Sequence, residues 1–136
     1  MEPSIERRQT IEGLADIKLL VDTFYGKVRQ DALLAPIFNE RIGAHWPQHL
    51  EKLYKFWQTV LLKEHTYFGS PFTPHALLEI DHTHFRKWVG LFVETIDTLF
   101  VGERAEEAKW RAQKMAEMFE YKNAYYRKES EKRVGG

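Results

Sequence analysis

Apolar residues return at helical spacing along most of this chain. Ile17, Leu20, Val21, Phe24 and Val28 fall at i, i+3, i+4, i+7 and i+11, one face of a helix. The pattern predicts a helix over about 10–29, with Gly13 breaking off a shorter leading helix and Asp16 capping the main part. Leu50, Leu53, Tyr54, Trp57, Val60 and Leu61 make a wide apolar face over 46–62, and Pro47 suits its opening position. On an adjoining strip His49, Leu53, Phe56 and Val60 line up, so His49 sits on a greasy surface rather than among charges. After Asp81, a candidate cap, the residues Phe85, Trp88, Val89, Phe92, Ile96, Leu99 and Phe100 keep helical register up to Gly102, a good stop. Ala105, Ala108, Ala112, Met115, Ala116 and Phe119 then point one way, with charge on the other faces, over about 103–127.

The pieces between these helices read differently. Pro36 argues against a long regular helix over 31–43, which reads as a compact turn with Ile37 and Phe38 tucked inward. Residues 75–80 read as a short helix. No stretch shows strand alternation and there is no internal repeat. The expectation is one all-α domain over 1–136, of five or six helices, with loosely ordered tails at 1–9 and 128–136.

Composition narrows the function. At 136 residues and 43% hydrophobic, the chain can bury one sizeable core. Its 20 basic and 20 acidic residues cancel, which argues against general affinity for nucleic acid or anionic membranes. There is no cysteine, so disulfides, thiolate chemistry and covalent haem attachment are excluded. No run is long and apolar enough to span a bilayer, and the N-terminus lacks the apolar centre of a signal peptide, so the expected location is cytoplasmic. Phosphate loops and the Gly-x-Ser-x-Gly elbow are missing. His45 with His49, and His82 with His84, are pairs without the third ligand that zinc or non-haem iron normally takes.

One stretch stands out for chemistry. In Tyr67-Phe68-Gly69-Ser70-Pro71-Phe72-Thr73-Pro74-His75 two prolines stiffen the chain before one histidine. Thr73 can cap a helix that starts at Pro74, placing His75 in its first turn. A half-buried helix-start histidine is one reading; an axial haem ligand is the other. Aromatics at 14% are abundant enough for the walls of a haem slot: Phe38, Leu53, Phe56, Phe68, Phe85, Trp88 and Phe92. Tyr25, His49 and the indole N–H of Trp88 can supply polarity. An ordinary aromatic core would show the same periodicity, and on periodicity alone Tyr25, at the edge of its stripe, reads as a half-buried core tyrosine with its hydroxyl at the surface before it reads as a ligand contact.

The order of these pieces resembles the truncated haemoglobins, specifically their third group. The matching motifs are Phe24-Tyr25-x-Lys27-Val28-Arg29-x-Asp31, Pro36-Ile37-Phe38-Asn39, Trp46-x-x-His49, Phe56-Trp57, Tyr67-x-Gly69-x-Pro71-x-x-x-His75 and Phe85-x-x-Trp88-x-x-Leu91-Phe92, spanning roughly 14–120. The resemblance implies a truncated globin fold, a two-over-two helical sandwich around a b-type haem. It implies that His75 ligates the iron, that Tyr25, His49 and Trp88 form the distal side, and that Phe38 wedges against the haem. Arg86 is a candidate propionate partner or a solvated surface arginine. The implied function is binding of O₂, CO and NO, with NO detoxification or peroxide handling as the family's redox activities, fed by an unidentified reductase. A haem-based sensor or carrier without turnover is the first alternative, and a haem-free helical interaction module the second.

Overall fold

Local chemistry sets where each helix starts and stops. In the computed structural model, which describes residues 8–64 and 81–135, α1 spans Leu14–Val28, α2 Ala35–Ile42, α3 Trp46–Leu62, α4 His82–Leu99 and α5 Glu103–Gly135. A 3₁₀ turn, Gly43–His45, joins α2 to α3. Asp81 caps α4 as expected: its Oδ1 accepts from Thr83 N at 2.9 Å and from His84 N at 3.4 Å. Pro47 opens α3, and Gly102 follows α4 with φ +105°.

Three expectations change. Among the described residues no helix leads into α1; Gly13 is the cap, and Asp16 reaches back to accept from the Glu12 and Gly13 amides at 2.9 and 3.2 Å. Pro36 begins a helix rather than preventing one, because the first turn needs no amide donor. Last, α5 does not end near 127 but runs through Gly135. Acidic residues in its first turn suit the helix dipole, and neighbouring pairs such as Lys114–Glu117 at 3.6 Å support its outer face. The short helix expected over 75–80 lies outside the described residues.

The helices stack in two layers. α1 packs on α3 and across α4, α4 lies along α5, and α3 touches α5. Ile17, Leu20, Val21, Phe24 and Val28 of α1 are fully buried between them. On α5, Ala105, Ala108, Ala112 and Ala116 form a small-residue stripe on which α4 lies close. No sheet occurs among the described residues. One isolated parallel bridge ties Gln9 to Phe100, with Gln9 N donating to Leu99 O at 3.3 Å and Val101 N to Gln9 O at 3.0 Å. Arg8 adds a bond to Asp97 O at 2.8 Å, so the chain at 8–9 is tied to the α4–α5 corner. No helix among the described residues is long and apolar enough to cross a membrane.

That corner depends on Gly102. A side chain there would be strained by the positive φ and would put its Cβ 3.2 Å from Thr10 Cγ2. Gly102→Ala should therefore cost more than about 1 kcal/mol. The check is a urea titration, in which the midpoint should fall while the slope stays unchanged.

Candidate functional site

α1, α3 and α4 converge on a group of aromatic rings. Phe24 presents its neighbours with edge-to-face contacts, at 5.2 Å to Trp88 and 5.0 Å to Phe92. Phe92 is itself sandwiched, stacked on Trp57 at 5.1 Å and on Trp88 at 5.8 Å. The motif residues Phe24, Trp57, Trp88 and Phe92 thus come from three helices to one place.

Tyr25 lies beside this stack and is deeper than its position on the stripe suggested. It is 2% exposed, with its ring 4.7 Å from Phe24. The indole N–H of Trp88 is a side-chain donor that acts to lower the pKa of the Tyr25 hydroxyl. An indole has no acceptor, so the roles are forced: Tyr25 accepts there and keeps its own proton for another acceptor. Burial pushes the Tyr25 hydroxyl far above its ordinary range, and the Trp88 contact offsets this only in part. The group is a neutral donor at any physiological pH.

His49 and Trp46 close the other side. The three rings of Tyr25, Trp46 and His49 meet pairwise at 5.7–5.9 Å. Nε2 of His49 is buried. Trp46 is 4% exposed, donates from Nε1 to Asn39 Oδ1 at 3.2 Å, and carries the Arg29 guanidinium 4.6 Å above its ring. Sequence reading found Trp46 only as part of a motif. Its contact with both polar residues, and its closure by Arg29 and Asn39, depend on helices that periodicity does not relate.

The walls are apolar. A small cavity between α2, α4 and α5 is lined by Leu34, Phe38, His84, Phe85, Trp88, Ala116 and Phe119. Phe38 and Phe85 were expected there; Leu34, His84 and Phe119 were not. Leu53 and Phe56 sit half-buried on the His49 strip of α3. Arg86 is not brought to this cavity: it is exposed and lines a groove on the outer side of α4 and α5 with Val89, Gly90 and Glu117. His75 and Phe68 lie outside the described residues. No cluster of three metal-ligating side chains occurs among the described residues. Aromatic walls with a few convergent polar groups fit a flat apolar cofactor better than a hydrated ion.

Such a helical sandwich, with rings gathered around one buried tyrosine, defines a globin-like cofactor protein. The comparisons agree. The family model for bacterial-like globins matches residues 9–121. The group 3 truncated hemoglobin ctb of Campylobacter jejuni is 36% identical over 108 residues, 76% of this chain and 85% of that protein. A crystal structure of a group III truncated hemoglobin from Campylobacter jejuni superposes with a TM-score of 0.76 at 33% identity, covering 84% of this chain and 93% of that one. This chain belongs to the bacterial-like globin family, among the truncated haemoglobins of the third group, and is a haem-binding globin.

Burial of the tyrosines makes stability sensitive to alkali. Burial also raises Tyr54, with help from the hydroxyl's bond to Asp22, to about 12. A folded-state pKa above the unfolded value of 10.0 means stability that is complete below pH 10 and lost as pH rises beyond it. For Tyr54 the loss runs from about pH 10 to about 12. Urea midpoints measured from pH 8 upward should be level and then drop. Tyr25→Phe and Tyr54→Phe should each shallow the drop.

Proposed function

We propose that this globin carries a b-type haem on His75 and retains diatomic ligands tightly, more a site for oxygen-linked redox chemistry than a delivery protein. Phe38, Leu53, Phe56, Phe68, Phe85 and Phe92 would hold the cofactor, and Tyr25, His49 and Trp88 would face its ligand. Arg86, on the outer groove, is left out of this set. When bound, haem supplies an iron that takes O₂, CO or NO.

The observation that supports this reading is the Trp88–Tyr25 pair. Trp88 acts on the Tyr25 hydroxyl as an N–H donor, which partly offsets the effect of burial. The remaining Tyr25 proton is the one aimed at a ligand, and in a dry pocket it contributes more than it would in water. Trp46 keeps Tyr25 and His49 from rotating away, since its ring packs on both. A preorganised neutral donor favours a ligand that accumulates negative charge, as O₂ does, over CO. Turnover, as in NO detoxification or peroxide handling, would need an external reductase. A sensor or carrier would instead be favoured by fast, unselective ligand release.

Kinetics on the distal side test this. A hydrogen bond to a charged acceptor contributes roughly 1.5–3 kcal/mol. Tyr25→Phe should quicken O₂ dissociation by about one to two decades, and Trp88→Phe by less because its indole acts through the Tyr25 hydroxyl, each with a smaller effect on CO. The double variant should be non-additive, because the two groups act as one unit. Equal effects on O₂ and CO in stopped-flow measurements would point to a steric change instead.

The proximal side has its own test. His75→Gly should lose haem or hold it loosely, and added imidazole should partly restore the ferrous absorption spectrum. An unchanged Fe–His stretch in resonance Raman would reject His75 and turn suspicion to His49.

A further inference from the structure

Most of α5 serves the fold from one face. Ala105, Ala108, Ala112, Ala116, Phe119 and Asn123 are buried. The opposite face carries a second apolar series that stays exposed. Trp110, Met118, Tyr121 and Tyr125 are 53%, 43%, 75% and 54% exposed, each more than Leu14, Leu19 or Leu33, the other exposed large hydrophobics described. With Glu107, Lys114, Glu117 and Lys128 they occupy one stripe, at spacings of three and four on either side of the adjacent pair Glu117 and Met118. The helix is 33 residues, about 50 Å, and continues about 18 Å beyond Asn123, the last buried residue described. The family match stops at residue 121, before this extension.

The order of residues in the stripe identifies its occupant. Reading outward from the midpoint between Glu117 and Met118, Lys114 is as far on one side as Tyr121 on the other. Trp110 is level in the same way with Tyr125, and Glu107 with Lys128. An antiparallel copy of the same helix would therefore set ammonium against tyrosine ring, tryptophan against tyrosine, and acid against base, each contact occurring twice. A parallel copy would set Glu107 against Glu107 and Lys128 against Lys128. The two helix dipoles also oppose one another favourably in the antiparallel pair.

We propose that the outer face of α5 is a homodimer interface in which two copies pair antiparallel about a two-fold axis between Glu117 and Met118. The aromatic contacts supply the affinity. The ends choose the direction, since exposed ion pairs contribute little by themselves. Glu107, which already meets Arg111 at 3.4 Å and Lys63 at 3.8 Å within its own chain, is held in place to receive Lys128 of the partner subunit.

The chain has no cysteine, which gives a clean test on the haem-loaded full-length protein. Sedimentation equilibrium should show a concentration-dependent mass near twice that of one chain, with dissociation favoured several-fold by 0.5 M salt over roughly 0.05 M, because the end pairs are exposed. Trp110→Glu, on an exposed position, should raise the dimer dissociation constant at least tenfold while the haem spectrum and helical circular dichroism stay unchanged. Direction is read by single cysteines. Met118→Cys lies beside the axis and should cross-link on mild oxidation. Tyr125→Cys would sit about 22 Å from its counterpart, far beyond the roughly 7 Å that a disulfide spans, and should not cross-link. Cross-linking of both variants would mean a parallel pair and overturn the proposal. A monomer at every concentration, or Trp110→Glu assembling like the parent, would overturn it as well.

Discussion

The packing of Phe24 is the constraint on which the site depends. It is 1% exposed and meets Tyr25, Trp88 and Phe92 at 4.7–5.2 Å, always by edge or face. Aromatic quadrupoles prefer such crossed arrangements, and a close-packed interior leaves no room for alternatives. Once Phe24 is placed, the stack of Trp57, Phe92 and Trp88 has one orientation. Helices α1, α3 and α4 are thereby locked at fixed rotation about their own axes.

That rotation is what brings polar atoms together inside an apolar site. Tyr25 follows Phe24 directly in sequence, so a helix that buries Phe24 must carry Tyr25 round toward α3. There it meets His49 and Trp46, with the Trp88 indole acting on its hydroxyl as an N–H donor. An unsatisfied hydroxyl at this depth would be costly, and the indole removes part of that cost while leaving the tyrosine proton available. The same contacts thus stabilise the fold and prepare a donor. Arg29 and Asn39, from outside the pocket, hold Trp46 as a cover over both.

α5 follows a different logic. Its alanine stripe lets α4 approach closely, whereas Trp110, Met118, Tyr121 and Tyr125 on its outer face stay exposed. The 33-residue helix thus carries two chemically distinct stripes. The inner one is part of the globin core, and the outer one is the face that the proposed pairing of two copies would cover.

Much of this was legible from residue order alone. The helical periodicity of the buried series, the Asp81 cap, the Pro47 start and the Gly102 stop are local effects, and local chemistry is what a sequence displays directly. The motifs around Tyr25, His49, Trp88 and His75 were likewise readable, and family membership is consistent with them. Other features needed the tertiary structure. Gly13 rather than Asp16 caps α1, because the Asp16 carboxylate reaches back instead. Pro36 opens α2, since proline is compatible with either a break or a start and only the surrounding packing selects one. Arg86 carries a charge that suits a propionate, and only the structure shows that it lies exposed on the outer groove. Leu34 and Phe119 reached the site without any signal that set them apart from ordinary core residues, and the motif that holds Trp46 did not show its contacts with Tyr25 and His49. Periodicity tells which face of a helix is buried; what that face is buried against is settled only when the helices meet.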